Sequence, residues 1–201
     1  MLGNTVRSTG DRAVAVVVST MARSGMRPAT CHLCEVLSAA ASASALFLHM
    51  QATALALFVM HGFFDYLDGA LRRKNPSLAT GTPARAERSH ALADKAAEVA
   101  VFLGIALGHY AAWWLAIAAM SASLAATWVG FVMLDAAGVP RSRTAFDRTD
   151  RMLVLLAFLA VTPSPILLRL VIGMACTTII QRLTFPLARV AAIPPPDVKE
   201  P

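Results

Sequence analysis

The stretch Phe63–Glu98, FFDYLDGALRRKNPSLATGTPARAERSHALADKAAE, joins two long apolar segments and places charged side chains at their ends. Burying an ionised carboxylate is costly unless it is paired or binds a metal. The side chains that raise this question are Asp65, Asp68, His90, Asp94 and Glu98. The stretch therefore predicts a polar site where one apolar helix ends and the next begins.

The composition predicts an integral membrane protein. The chain has 201 residues, of which 57% are hydrophobic and 15% are charged, whereas a soluble domain carries about 25% charged residues. A helix needs roughly 20 apolar residues to cross a bilayer. The segments that approach this length are 31–49, 50–71, 90–108, 110–134, 151–163 and 165–187. We predict an all-α fold with six transmembrane helices.

The basic residues predict the orientation in the membrane. Apart from Arg169, every Lys and Arg lies in the N-terminal segment, the 72–95 loop, the 141–151 loop or the C-terminal part. Alternate loops are therefore basic, which places both termini in the cytoplasm of a multi-pass protein of the cell membrane. The net charge of +6 fits anionic lipid headgroups or anionic substrates and needs no nucleic acid.

Three regions are predicted along the chain. Residues 1–27 form an N-terminal segment, in which 11–26 are expected to make an amphipathic helix lying on the membrane interface. Residues 28–189 form the six-helix transmembrane domain of catalytic type. Residues 190–201 form a proline-rich tail that is expected to be disordered.

Two helix faces are predicted to carry the polar site. Asp65 and Asp68 are three residues apart and share one face of a helix, while His90, Asp94 and Glu98 are spaced by four. Antiparallel neighbours bring these faces together at the cytoplasmic interface, where their oxygens suit Mg²⁺ or Mn²⁺. The alternative is a set of interfacial ion pairs, with the acids of the second helix near the positive end of its dipole.

The residues after Asp68 add a possible phosphate site. Gly69 lets a ligand approach the backbone closely, and the basic residues that follow it, including Arg73, can hold phosphates.

The same stretch resembles the signature of the CDP-alcohol phosphotransferase (CDP-alcohol phosphatidyltransferase) family, D-x-x-D-G-x-x-A-R-x8-G-x-x-x-D-x-x-x-D. Asp65, Asp68 and Gly69 match its first two aspartates and first glycine, and Arg73 matches its arginine. With a longer loop, HALADK resembles the second half, so that Asp94 takes the last aspartate and His90 the third. Without the longer loop, His90 takes the last position.

The resemblance implies a fold and a reaction. Six helices surround a polar cavity that opens to the cytoplasm, and the family members are commonly homodimers. Two divalent metals, held by the aspartates, bind the pyrophosphate of a CDP-linked donor such as CDP-diacylglycerol. The last aspartate, here Asp94, deprotonates an alcohol that attacks the β-phosphorus and expels CMP, as in phospholipid biosynthesis. Asp65, Asp68, Asp94 and His90 are the implied metal ligands, with Gly69 and Arg73 at the nucleotide or its phosphates.

A second segment of the sequence resembles one branch of this family. RSRTAFDRTDRMLVLL resembles the basic start of the fifth span in the phosphatidylinositol-phosphate synthase branch. Such a cluster can hold a phosphate on the acceptor alcohol, although positive-inside charge explains it equally well. The arginines concerned are Arg141, Arg143, Arg148, Arg151 and Arg182. An inositol-phosphate-like acceptor is expected before glycerol phosphate.

The histidine in the motif leaves three interpretations open. His90 can be a metal ligand with an altered preference, the second metal can bind weakly, or the protein can keep the fold without the reaction. A catalytically silent relative that binds CDP-lipid or acts as a membrane assembly partner is therefore the alternative function. A small transporter that uses the same acids for cation or proton coupling is a third hypothesis, although the chain shows no inverted repeat.

Overall fold

The computed structural model describes residues 14–25, 28–74, 83–137, 146, 148–161 and 164–191, with the backbone alone at 28, 72–73, 83–91, 131–137 and 185–191. These residues form seven α-helices and contain no strand, which confirms the all-α prediction. The helices are α1 (Val14–Arg23), α2 (Pro28–Phe47), α3 (Gln51–Lys74), α4 (Pro83–Leu107), α5 (Trp113–Ala137), α6 (Arg148–Ala160) and α7 (Pro165–Ala191).

Every predicted membrane segment falls on one of the last six helices, and four of these are long and apolar enough to cross a membrane. They are Ala29–Phe47, Gln51–Leu71, Trp113–Gly130 and Pro165–Thr184. Helix α4 carries many charged residues in its first half, and α6 has only 13 residues. The chain is therefore multi-pass, while the prediction of six spans stays a prediction.

Two of the short connections away from the acidic motif, α2–α3 and α4–α5, use the same turn. His49 and His109 end α2 and α4 with φ angles of 59° and 56°, in the left-handed region that histidine enters more readily than most residues. After each histidine, the next amide bonds back across the helix end, from Met50 to the Ala45 carbonyl at 2.8 Å and from Tyr110 to the Ile105 carbonyl at 3.1 Å. This Schellman-type pairing satisfies the last carbonyls and reverses the chain within a few residues.

Helix α4 packs on α2 through glycines. A Cβ at Gly104 would lie 2.7 Å from the Cα of Ala43, and one at Gly108 would lie 2.6 Å from the carbonyl oxygen of Leu46. Only a residue without a side chain allows this approach, which is the way that small residues bring membrane helices together. The contact fixes α4, and with it the acidic stripe near its start, against α2.

The predicted N-terminal helix is present as α1, inside the range 11–26. Val18 is buried in a small apolar cluster with Cys31, Leu67, Ala70 and Leu71. Lys74 at the end of α3 donates a hydrogen bond to the Ser19 hydroxyl. Helix α1 thus covers the end of the α2–α3 pair where the acidic motif lies, and its position on the membrane interface stays a prediction. The predicted tail 190–201 lies almost wholly outside the described residues.

Candidate active site

The two aspartates of α3 have different surroundings although they lie one turn apart. Asp65 is partly exposed, with 31% of its side chain accessible, whereas Asp68 is fully buried. The carboxylate of Asp68 is directed at α2, where its Oδ2 lies 3.0 Å from Nε2 of His32. The two motif aspartates therefore take part in separate polar contacts.

Three carboxylates from three helices come together around Asp65. One oxygen each from Glu35 on α2, Asp65 on α3 and Asp94 on α4 lie within 4.8 Å of one another. Glu35 is fully buried and Asp94 is 8% exposed. The predicted meeting of the α3 and α4 stripes thus occurs at Asp65 and Asp94, and α2 adds an acid to it.

Arg148, the first residue of α6, lies among these three acids. Its Nη1 is 2.7 Å from Oδ2 of Asp94 and 3.1 Å from Oδ2 of Asp65, and its Nη2 is 3.7 Å from Oε1 of Glu35. Burial alone would lower the pKa of the Arg148 guanidinium, but the carboxylates, Asp94 first, raise it above its ordinary value. The guanidinium therefore stays cationic and joins the start of α6 to α3 and α4.

The residues of this cluster fit a divalent cation. Three carboxylates beside one guanidinium leave an excess of negative charge when all are ionised, and oxygen ligands of this kind suit Mg²⁺ or Mn²⁺. Neither oxygen of Glu35 accepts a hydrogen bond from the described residues. A buried carboxylate without donors is costly, and a bound cation would satisfy it.

A second polar cluster lies one turn further along α4. Glu98 is buried and accepts hydrogen bonds from Lys95 and from the hydroxyl of Ser123 on α5. Arg151 of α6 is also buried, and its Nε donates to the same hydroxyl at 3.0 Å. Glu98 and Arg151 are thus linked through Ser123, and the cluster ties α4, α5 and α6 together beside the carboxylate group.

The other predicted site residues lie around this centre. Gly69 is half-buried on α3, next to Asp68. Arg73 lies on α3 and His90 on α4, but the side chains of both are outside the described part of the chain. Arg141 lies entirely outside the described residues. Arg182 of α7 packs against Gly130 of α5, where a Cβ would meet its guanidinium, and donates to the Ala126 carbonyl.

Sequence reasoning missed the place of Glu35 beside Asp65 and Asp94. It stands alone in the apolar run of α2, outside the motif, and it was not assigned to the site. The signal was present, because an acid inside a membrane segment marks a functional position. The spacing to His32 was a second signal, since residues three apart share a helix face.

These features define a helical membrane protein with an acidic site between its helices, and comparison with known proteins identifies its family. The sequence profile of CDP-alcohol phosphatidyltransferases matches residues 26–187. The chain therefore belongs to the CDP-alcohol phosphatidyltransferase family, as the motif predicted. No curated protein matches the sequence.

Solved structures share the fold at low sequence identity. The phosphatidylinositol phosphate synthase PgsA1 of Mycobacterium tuberculosis with bound CDP-DAG has a TM-score of 0.69 at 18% identity, over 92% of this chain and 96% of that one. Its complex with manganese and citrate has a TM-score of 0.71 at 18% identity, over 85% and 87% of the chains. Its apo form has a TM-score of 0.62 at 20% identity, over 84% of this chain and 93% of that one. The likeness to the predicted synthase branch is thus confirmed in the fold.

Proposed function

We propose that this protein transfers a phosphatidyl group from a CDP-linked lipid to a polar alcohol and releases CMP, in phospholipid biosynthesis. The observation that carries the proposal is the meeting of Asp65 and Asp94, the first and last motif aspartates, within one carboxylate group. They lie 29 positions apart on two helices, and the family's reaction requires both. The family membership supports the reaction class.

Asp65 and Asp94 are the proposed metal-binding pair, with Asp68 and His90 as further candidate ligands from the motif. Bound Mg²⁺ or Mn²⁺ would neutralise the pyrophosphate and stabilise the leaving CMP. Asp94 is the proposed general base: one carboxylate oxygen takes the proton as the alcohol oxygen attacks the β-phosphorus and the bond to CMP breaks. The hydrogen bond from Arg148 to Asp94 Oδ2 at 2.7 Å orients this carboxylate.

The donor is proposed to be CDP-diacylglycerol. The structural relative binds CDP-DAG, and the present chain has the same fold and exposes apolar helix faces that suit lipid tails. Gly69 and Arg73 are the proposed contacts to the nucleotide or its phosphates. Gly69 has no side chain to hold a ligand away from the α3 backbone, and an arginine binds phosphate oxygens with two donors at once.

The acceptor is proposed to be a polar alcohol that carries a phosphate, such as an inositol phosphate. Arg141, Arg148, Arg151 and Arg182 are the candidate contacts. Among them, Arg148 has the position most useful for an acceptor, because it borders the carboxylate group and keeps 22% of its side chain exposed. The buried Arg151 contacts Ser123, which favours a role in packing.

The proposed setting is the cell membrane. Six spans would surround a polar cavity open to the cytoplasm, with both termini on that side, and two copies would form a homodimer. The basic residues support this orientation, since nearly all of them lie in the two termini and in alternate loops of the sequence.

The test is CMP release by purified protein in detergent. CDP-diacylglycerol is supplied with Mg²⁺ or Mn²⁺ and, one at a time, free and phosphorylated polyols. We expect metal-dependent release with one acceptor and its loss in Asp94→Asn, while Asp150→Asn, at a half-buried aspartate in the first turn of α6, serves as the control. Release that continues in Asp94→Asn would refute the role of this residue.

A catalytically silent relative is the second candidate, and the position of Arg148 favours it. The guanidinium already pairs with Asp65 and Asp94, so it supplies positive charge at the place where a metal is proposed. A silent relative would bind CDP-diacylglycerol and release no CMP with any acceptor. The same assay, run with a binding measurement, separates the two candidates.

A further inference from the structure

Glu35 is completely buried, and its carboxylate oxygens have no hydrogen-bond partner among the described residues. It lies two turns into α2 and is 0% exposed, and its carboxylate belongs to the group that contains Asp65 and Asp94. The family motif of α3 and α4 does not include it. An acid at this depth requires a reason, because an ionised carboxylate loses its hydration when it is buried.

The neighbours of Glu35 do not supply that reason. Its oxygens accept no hydrogen bond among the described residues. The nearest basic side-chain atoms are Nη2 of Arg148 at 3.7 Å and Nδ1 of His61 at 3.8 Å, both measured to Oε1. These distances exceed those of charge-assisted hydrogen bonds, which are about 2.7–2.9 Å. Among the described residues, the oxygens of Glu35 therefore keep acceptor capacity beside Asp65 and Asp94.

Asp68, the second aspartate of the motif, does not belong to the group formed by Glu35, Asp65 and Asp94. Asp68, which the motif makes a metal ligand, lies outside the group of three and contacts His32 at 3.0 Å. In the alignment with the longer loop, His90 stands where the motif has its third aspartate. Asp65 and Asp94 are thus the motif aspartates that meet in the group of three, and an acid from α2 stands beside them.

We propose that Glu35 is a divalent-cation ligand of this protein and completes a three-helix carboxylate site with Asp65 and Asp94. The inference rests on the proposed metal-dependent function and deepens it by naming a ligand from outside the motif. Ligands from α2, α3 and α4 would join the three helices, and the site would have one acid that the family signature does not provide.

The competing explanation is a neutral, structural glutamic acid. In that case Glu35 fills space between α2, α3 and α6, and replacing its carboxyl group with the amide of the same shape changes little in metal binding. The two explanations differ in the response to metal alone, without donor or acceptor. The measurement is therefore Mn²⁺ binding to the full chain in detergent, by calorimetry and by the electron paramagnetic resonance signal of free Mn²⁺.

Four variants are compared with the wild type. Glu35→Gln keeps the shape and removes the charge, and Glu35→Asp keeps the charge with a shorter reach. Asp65→Asn removes an acid of the same group. Asp150→Asn is the control, because it removes a half-buried carboxylate of α6 that lies outside the group of three. Size exclusion and thermal unfolding without metal establish that each variant is folded.

We expect Glu35→Gln to raise the Kd for Mn²⁺ by at least about tenfold, since even changes outside the ligand shell cost about 10–100-fold. Glu35→Asp should lie between it and the wild type, and Asp150→Asn should match the wild type. If Asp65→Asn loses affinity while both Glu35 variants keep it, the ligand role of Glu35 is wrong and the proposed function stands. If the wild type binds no Mn²⁺, both are refuted. Loss of affinity in Glu35→Gln without CMP release by the wild type would support the ligand and refute the transferase.

Discussion

Removal of the Arg148 guanidinium should destabilise the metal-free protein and make it more responsive to metal. Arg148 bonds to Asp94 at 2.7 Å and to Asp65 at 3.1 Å, while their side chains are 11% and 31% exposed. Breaking a buried pair by removing one partner costs about 3–5 kcal/mol, whereas an exposed pair contributes about 0–1 kcal/mol. The partial exposure of this site places the loss for Arg148→Ala at about 2–3 kcal/mol.

The loss is measured as a shift of Tm in detergent with EDTA present. For a chain of this size each kcal/mol lowers Tm by about 2–4 °C, so we expect a fall of roughly 4–12 °C. Arg169→Ala is the matched control, because Arg169 is an exposed arginine of α7 away from the carboxylate group. Its Tm should stay near that of the wild type.

Metal should then reverse the effect. Bound at 100 times its Kd, a ligand stabilises the folded state by about 2.7 kcal/mol. In Arg148→Ala the carboxylates are no longer shared with a guanidinium, so Mn²⁺ should raise its Tm by more than it raises that of the wild type. Two results would refute this account of the site. One is a Tm of Arg148→Ala in EDTA equal to that of Arg169→Ala, and the other is a smaller rise of its Tm with Mn²⁺ than in the wild type.

Three further predictions concern catalysis and packing. Asp94→Asn should lower the rate of CMP release by at least about 100-fold, the smallest usual contribution of a general base, with its Tm measured as a check on folding. Gly104→Ala should destabilise the protein by about 1–3 kcal/mol in thermal unfolding, because its Cβ would lie 2.7 Å from the α2 backbone. Gly173→Ala is the control, since nothing lies within 4 Å of a Cβ there, and an equal loss in both would contradict the packing argument. Ser123→Ala should cost about 1–3 kcal/mol by the same measurement, because buried Glu98 loses a donor, and an unchanged Tm would show that the contact contributes nothing.

The sequence predicted the helices well because their signal is local. Each predicted span overlaps a helix, and the predicted N-terminal helix appears as Val14–Arg23. Apolar runs of this length and the turn residues between them depend on neighbours along the chain alone. The first halves of α4 and α6 were harder to delimit, since both helices begin among charged residues before their apolar parts.

The site was predicted in part. The spacing of Asp65 and of Asp94 on their helices predicted that the two would face each other, and the structure brings them together. The partners of Asp68 and Asp94 were not predictable in the same way. His32 and Arg148 lie 36 and 54 positions away from them, and no local pattern relates side chains at such distances.

The amino-acid sequence alone determines the class of this protein: its apolar runs, its basic loops and the D-x-x-D-G motif indicate a membrane protein of one family. These features depend on composition and on helix periodicity, which are local properties of the sequence. The packing of α2, α3, α4 and α6 decides which acids form the centre, because it brings Glu35 beside Asp65 and Asp94 and turns Asp68 toward His32. Gly104 in α4 and Gly108 just after it allow the close approach of α4 to α2, and so the distance between helices selects the members of the site.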